Sequence, residues 1–427
     1  MSSAYAEAAV DRYEVAAALE ADGITDATAR DQHSAADVFD LADRLFQQTP
    51  RRPQPNRPAR SPWRATPVTH VLRGVLFGLP ALAYLTVADR ITGPRSAVLL
   101  VVSVLLSWAT GQGLAHLGQL RRSRSGQAGR SGRDDAAAVL GGAALAAGLP
   151  AVAIVAGLGF ALGVPLVVTL IAAGQLAYVL AATVALVLGR EWWLLAALIL
   201  GVAAGLLTPV AAAASVVAAV AVAAWALRGA RPQLPTRNEL SAALPAATFG
   251  VLVGALLIFT PALRALDPQP GPGTSVGVAL AVLLPLSVSM GGAEWLLFRY
   301  RAATHRAMAE SRTLRAFRRK ASTALFRATA GYVVVLVALL VAGVSLTGEL
   351  PRLEPVLIGP ALFLALLLMS FDLRRPVVLA CLAALTANLA LIPLQAPETV
   401  QAVTAAGLLV ALYAYAHLTL RRAQFHL

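Results

Sequence analysis

Long apolar runs alternate with short polar loops along most of this chain. From residue 69 onward these runs are about 20 residues long, and a helix of that length crosses the roughly 30 Å hydrocarbon core of a bilayer. The pattern predicts an all-α polytopic membrane helix bundle with about 12 transmembrane helices in two six-helix halves. The predicted spans are 69–88, 96–119, 136–160, 164–187, 192–207, 209–228, 243–263, 275–298, 328–347, 354–371, 376–393 and 398–420.

The segments outside these spans complete the predicted domain organisation. Helical periodicity before and after Asp22-Gly23 predicts a helical hairpin, and near-helical spacing of apolar residues among arginines predicts a basic amphipathic helix on the inner leaflet. The predicted parts are an acidic cytoplasmic module 1–48, a Pro/Arg-rich linker 49–68, a first bundle 69–228, a cytoplasmic loop 229–242, and a second bundle 243–427 that includes the amphipathic helix 301–327.

Composition and charge support a membrane location. The 427 residues are 58% hydrophobic and 13% charged, which is far too apolar for a soluble protein of this length. With the N-terminus in the cytoplasm, 28 of the 32 arginines and lysines beyond residue 50 fall on the cytoplasmic side, as the positive-inside rule requires. We therefore expect an inner (plasma) membrane protein with both termini cytoplasmic. Its basic loops would contact anionic headgroups rather than nucleic acid.

Several enzyme classes lack their motifs in this chain. Lys320 is the only lysine, so there is no Gly-Lys-Ser/Thr phosphate loop. There is no HExxH zinc motif, no CxxC pair and no GxSxG nucleophile elbow, and Cys381 is the only cysteine. We accordingly predict no catalytic residues, no metal, no cofactor and no enzymatic activity.

Polar residues within the spans are the candidate functional residues, because ionisable groups are costly in a bilayer. SWATGQGLAHLGQL places Gln112 and His116 on one helix face. Glu294, in SMGGAEWLLFRYR, has no obvious partner on its own helix, so a neighbouring helix or water must satisfy it. We assign a substrate vestibule to Gln112, His116, Gln175, Glu294 and Asn388, and a cytoplasmic interface to Glu191, Arg299 and Arg301.

These candidate residues also have purely structural interpretations. Glu294 and Glu191 each precede tryptophan, a pattern typical of anchors at the membrane interface. Gln112, His116 and buried amides such as Gln175 and Asn388 are typical of hydrogen bonds that join packed membrane helices. The sequence leaves both interpretations open.

Two of the motifs above also carry a family resemblance. SWATGQGLAHLGQL, SMGGAEWLLFRYR and the arginine-rich segment that follows resemble a group of actinobacterial polytopic membrane proteins, and EVAAALEADGITDATARDQHSAADVFDLADRLF resembles their cytoplasmic leader. That group is similar to the polysaccharide-exporter and lipid-linked oligosaccharide flippase superfamily. The resemblance implies two bundles, alternating access and a lipid-linked or polymeric glycan as cargo. Such flippases commonly carry basic residues in the central cavity, whereas the predicted spans here contain Arg73 near the inner end of the first and, at the very end of the sixth, Arg228.

Two functions follow as alternatives. The chain is either a secondary transporter or flippase, in which protonation of Glu294 and His116 couples to transport, or a membrane scaffold. A scaffold would hold a glycan-synthesis or division complex through a cytoplasmic partner bound to residues 1–48.

Overall fold

The computed structural model contains helices and no strand among the residues it describes, which divide into two compact units, Met1–Pro62 and Trp63–Leu427. Most of the predicted linker 49–68 lies outside the described residues. The described residues are 9, 11–48, 67–82, 91, 93–127, 132–205, 211–266, 276–311, 313–347, 353–394 and 396–422.

The N-terminal unit contains three short helices, α1 (Arg12–Ala21), α2 (Asp26–His33) and α3 (Val38–Gln48). They enclose a small apolar core that includes Val15 and Leu41. The predicted hairpin is therefore wrong in one respect, since α2 follows the Asp22-Gly23 turn. The Thr25 hydroxyl caps α2 by accepting the N–H of Thr28 at 3.3 Å, and the buried Ala29 gives this polar helix its contact with the core.

The second unit contains twelve helices among its described residues, and each overlaps one predicted span. A π-helical turn at Ala144–Gly148 interrupts the third without ending it. The helices are α4 (Pro67–Leu82), α5 (Gly93–Gln127), α6 (Gly132–Ala161), α7 (Leu166–Val187), α8 (Glu191–Gly205), α9 (Ala211–Ala226), α10 (Arg237–Leu266), α11 (Val276–Glu310), α12 (Leu314–Thr347), α13 (Leu353–Met369), α14 (Arg374–Leu391) and α15 (Pro397–Leu420).

The exterior of these helices is apolar, as a bilayer requires. Among the described residues, seven helices (α5, α6, α7, α10, α12, α14 and α15) are long and apolar enough to span a membrane, and α8, α9 and α13 are shorter apolar helices. Large side chains such as Leu200 and Val334 are about two-thirds exposed on the bundle surface. A soluble monomer rarely exposes so much apolar surface, so this is a multi-pass membrane protein.

The predicted amphipathic helix 301–327 is not one helix. Residues 301–310 continue α11, and residues from Leu314 onward open α12. Ala307, Phe317 and Ala321 pack together between the two extensions, and Lys320 donates to Glu310 at 2.9 Å. The apolar periodicity thus arises from the contact between two antiparallel helices.

The buried apolar residues of the second unit form two clusters. One runs from Leu72 to Ala243 and is built almost wholly from α4–α9, which we call the first half. The other runs from Phe249 to Leu420 and is built from α10–α15, the second half. The domain boundary predicted within 229–242 stays a prediction.

Two glycine-mediated crossings join the halves. Gly74 on α4 and Gly291 on α11 lie so close that a Cβ on either would strike the backbone of the other helix, and a Cβ on Gly250 of α10 would strike the backbone of Trp108 on α5. Glycine lets helix backbones approach this closely in membranes. The α4–α11 crossing positions the site described next.

Candidate functional site

A cluster of charged side chains lies where α4, α8 and α11 meet. Arg73 on α4 donates through Nη1 to Oε1 of Glu294 on α11, and through Nη2 to Oε1 of Glu191 on α8 at 2.6 Å. The three side chains are between 13% and 27% exposed. One guanidinium therefore binds a carboxylate of its own half and a carboxylate of the opposite half.

His70 is the fourth member of what we call the charge cluster, defined as His70, Arg73, Glu191 and Glu294. Its Nδ1 atom lies 3.3 Å from Oε2 of Glu294, and its side chain is 6% exposed. Nδ1 makes no hydrogen bond within the described structure. The ring packs on Phe298 with 5.0 Å between centroids. With a neutral imidazole, the charge cluster has a net charge of −1.

Local sequence explains how these groups meet. His70 and Arg73 are three residues apart and lie on one face of α4, as do Gly291 and Glu294 on α11. Gly291 brings α11 against the backbone of α4, so the carboxylate three residues later lies beside the α4 cations. Glu191 is the first residue of α8, where the positive end of the helix dipole favours a carboxylate.

A second ionic contact joins the halves between α5 and α10. Glu239, 2% exposed, contacts Nε of Arg121 at 2.5 Å, and Nη1 of Arg124 lies 3.6 Å away. Glu239 also accepts the backbone N–H of Thr236 at 2.9 Å, as in a capping box at a helix start. This carboxylate both caps α10 and ties it to the end of α5.

Contacts between helix ends join positions that are predicted to lie on the same side of the membrane. Arg374 at the start of α14 donates to the carbonyl of Ala242 at 3.0 Å, and both positions are predicted to be cytoplasmic. At the opposite end of the bundle, Arg264 on α10 pairs with Glu398 on α15, and both positions are predicted to be outside. The charge cluster belongs to the end that the arginine distribution predicts to be cytoplasmic.

Three of the predicted vestibule residues make none of the contacts described for the charge cluster. Gln112 lies beside Gly250 at the α5–α10 crossing. His116 has Nε2 3.4 Å from Nη1 of Arg374, not beside Glu294. Gln175 lies on α7, and its buried Oε1 has no hydrogen-bond partner in the described structure.

Asn388 belongs to a polar network in the second half. It is fully buried and accepts a hydrogen bond from Thr404. Nearby, Gln401 accepts from Thr260 and donates to the carbonyl of Leu256 at 2.7 Å. These bonds hold α10, α14 and α15 together, which matches the packing interpretation of a buried amide.

Arg299 and Arg301 contact aromatic rings at the same end as the charge cluster. The Cζ atom of Arg299 lies 4.7 Å from the ring centre of Trp295. Arg301 lies 4.8 Å from the ring centre of Phe371 and donates to the carbonyl of Ser370. Arg301 thereby ties α11 to the end of α13.

Sequence reasoning did not assign His70, Arg73 or Glu239 to the candidate site. Two signals were present. His70 and Arg73 share a face of an otherwise apolar helix, and T-x-x-E at Thr236 is a capping box. Among the described residues, no group of three His, Cys, Asp or Glu side chains could hold a metal ion.

Comparisons with known proteins assign no family. No protein-family model matches the chain, and no curated protein matches it. Among solved structures, MATE in complex with MaL6 is similar at 13% identity and a TM-score of 0.47, and a mutant MATE at 11% identity and 0.43. Each alignment covers 85% of this chain and 97% of the other. Both TM-scores lie below 0.5, so the likeness assigns no activity to this chain.

Proposed function

We propose that this chain is a secondary transporter or flippase that moves a cell-envelope polysaccharide or its lipid-linked precursor across the membrane. The observation that carries the proposal is the charge cluster, which places ionised side chains at the crossing between two separately packed halves. Ionisable groups in a membrane interior mark transport pathways and proton relays. Transporters commonly bind cargo where two such halves meet.

The nature of the contacts between the halves supports movement. Each half has its own apolar core, whereas the crossings described above rely on glycine contacts and on ion pairs. Ion pairs can exchange a protein partner for water or for an ionic cargo, so the charged contacts at these crossings can be broken and remade. In this proposal Glu294 lines the pathway at the end predicted to be cytoplasmic.

The test is a deletion strain in which lipid-linked saccharides are quantified on each leaflet, together with surface glycan. A flippase predicts precursor build-up on the inner leaflet and loss of surface glycan, reversed by the wild-type chain and not by Glu294→Gln. Arg299→Gln is the matched control at the same end of α11 and should restore export. Full export with Glu294→Gln would show that transport does not require the charge of Glu294 in the charge cluster.

A scaffold is the second candidate, and the separate N-terminal unit favours it. That unit has its own core and nine acidic residues among its described positions, which suits a basic cytoplasmic partner. Deleting residues 1–50 discriminates between the two functions. A scaffold loses its partner and the glycan together without precursor build-up, whereas a transporter core still exports.

A further inference from the structure

We propose that α8 and α9 form a binding site for one anionic phospholipid at the end of the bundle that is predicted to be cytoplasmic. Arg190 and Arg228 bind the phosphate of this lipid. Trp193 and Trp225 lie at the level of its glycerol backbone, and the exposed apolar faces of the two helices contact its acyl chains. The inference goes beyond the proposed transport function and does not depend on it.

Arg190 is a cation whose hydrogen-bond donors are not used by the protein. It directly precedes α8, and its Cζ atom lies 4.1 Å from the ring centre of Trp225 on α9. None of the described hydrogen bonds or ion pairs uses its guanidinium, and its Nε atom is buried without a partner. A guanidinium donates in its own plane and binds phosphate oxygens through two parallel N–H groups. The side chain is partly exposed, so an anion can reach its outer nitrogens.

The charges around Trp225 favour an anion. The backbone N–H of Arg228 donates to the carbonyl of Trp225 at 3.2 Å, so this exposed arginine lies one turn beyond the ring. The carboxylate of Glu191, next to Arg190, is already bound to Arg73. Within the described part of the chain, no carboxylate balances Arg190 or Arg228. Basic sites between transmembrane helices at the cytoplasmic side bind the headgroups of anionic lipids.

Two tryptophans set the depth of the site. Trp193 on α8 lies against Trp225, with 5.5 Å between the ring centres, and both side chains are exposed. An indole N–H is a donor only, and neither one takes part in a hydrogen bond between described residues. Tryptophan prefers the headgroup level of a bilayer. The pair therefore lies where the glycerol esters of a bound lipid offer acceptors, with Arg190 on its aqueous side.

The surface beyond the tryptophans is apolar over the depth of one leaflet. Leu200 on α8 and Val217 on α9 are 71% and 67% exposed. Arg190 and Leu200 are ten positions apart, which at about 1.5 Å per residue is about 15 Å. That length is half of the roughly 30 Å hydrocarbon core. A lipid of the adjacent leaflet fits both parts of this surface, whereas a free phosphate fits only the arginines.

Native mass spectrometry of the full chain in detergent tests the site. The chain is titrated with phosphatidylglycerol or with phosphatidylcholine that has the same acyl chains. The first phosphatidylglycerol should bind about fivefold more tightly, because one arginine at the membrane surface contributes about that factor for an anionic lipid. Arg190→Gln should remove this preference. Inorganic phosphate should not displace the lipid. Displacement by inorganic phosphate would show a site for the anion alone and overturn the assignment to a lipid.

Two matched variants separate the site from general surface charge and from misfolding. Arg299→Gln removes another arginine that lies over a tryptophan at the same end of the bundle, and it should keep the preference. Arg190→Lys should keep part of the preference, because lysine retains the charge without the planar fork. Equal binding of the two lipids, an unchanged preference in Arg190→Gln, or the same loss in Arg299→Gln overturns the proposal.

Discussion

At the scale of single residues, the sequence identified Glu294 and the need for a partner from another helix, but not which partner. Hydropathy marks a carboxylate in a span as costly whatever surrounds it. The identity of Arg73 as that partner depends on how closely α4 and α11 cross, which Gly74 and Gly291 determine. Residues far apart in sequence meet there, so periodicity within one helix carries no trace of the contact.

Arg73→Gln should destabilise the protein more than any exposed arginine substitution at the same end. It leaves Glu191 and Glu294 without their cation, and an unpaired, partly buried carboxylate costs about 2–3 kcal/mol. Arg299→Gln removes only a cation–π contact on an exposed side chain and should cost about 0.5–1 kcal/mol. The free energy of unfolding of both variants is measured in detergent by tryptophan fluorescence. Equal losses of this free energy in Arg73→Gln and Arg299→Gln would contradict a structural role for the charge cluster.

The N-terminal unit offers a pH-dependent prediction at Asp40. The backbone N–H of Ala36 and then the guanidinium of Arg44 hold the pKa of this carboxyl below its ordinary value. A lowered pKa stabilises the fold above the unfolded-state pKa, and this stability is lost as the pH falls through the folded-state pKa. The protection factors of the α3 amides, which are corrected for the intrinsic pH dependence of hydrogen exchange, should therefore fall in acid.

Asp40→Asn should remove that loss of protection in acid. The matched control is Asp31→Asn on α2, because none of the described hydrogen bonds or ion pairs involves Asp31. If Asp40→Asn retains the full acid response, the hydrogen bonds at the start of α3 do not cause it.

At the scale of elements, each of the twelve helices described in the second unit overlaps a span that hydropathy predicted, although some helix ends differ from the prediction. Helix α11 has 35 residues, so at about 1.5 Å per residue it is about 52 Å long and exceeds the hydrocarbon core. The charged extension looked like a separate surface helix because Phe317 and Ala321 repeat at helical spacing. Their apolar partner is α11 rather than lipid, and only tertiary structure reveals that choice.

Gly291→Ala tests the α4–α11 crossing. The added methyl would strike the backbone of His70, and overpacking of this kind costs about 1–3 kcal/mol. Gly407→Ala on α15 is the matched control, because no described atom lies within 4 Å of the place that its methyl group would occupy. There the gain in helix propensity should be neutral or stabilising by up to about 1 kcal/mol. Similar thermal unfolding of the two variants would contradict the close crossing.

At the scale of the whole molecule, the sequence predicted that successive spans cross the membrane in opposite directions. The structure shows which helix ends lie together. The pattern of apolar runs predicted twelve helices because each run is long enough to cross a bilayer. It carried no information on which helices cross, because exterior and core positions are both apolar in a membrane bundle. The sequence predicted two six-helix halves, whereas the ion pairs between the halves come from the structure alone.

The predicted sidedness can be measured by cysteine labelling in intact cells. In a Cys381→Ala background, Leu394→Cys should react with an impermeant maleimide and Leu234→Cys should not. The two side chains are each 70% exposed, so they form a matched pair that differs only in the predicted side. After membrane permeabilisation both should react. Labelling of Leu234→Cys in intact cells would show that the predicted sidedness is wrong.

The central claim is that the pair Arg73–Glu294 links the two halves during transport, and a reciprocal charge exchange tests it most directly. Surface glycan is measured in the deletion strain carrying Arg73→Glu, Glu294→Arg or both substitutions. Each single variant places like charges across the crossing and should abolish export. The double variant restores an arginine–carboxylate pair across the crossing and should restore export above either single variant. Export that survives in the single variants, or a double variant no better than they are, would contradict the account.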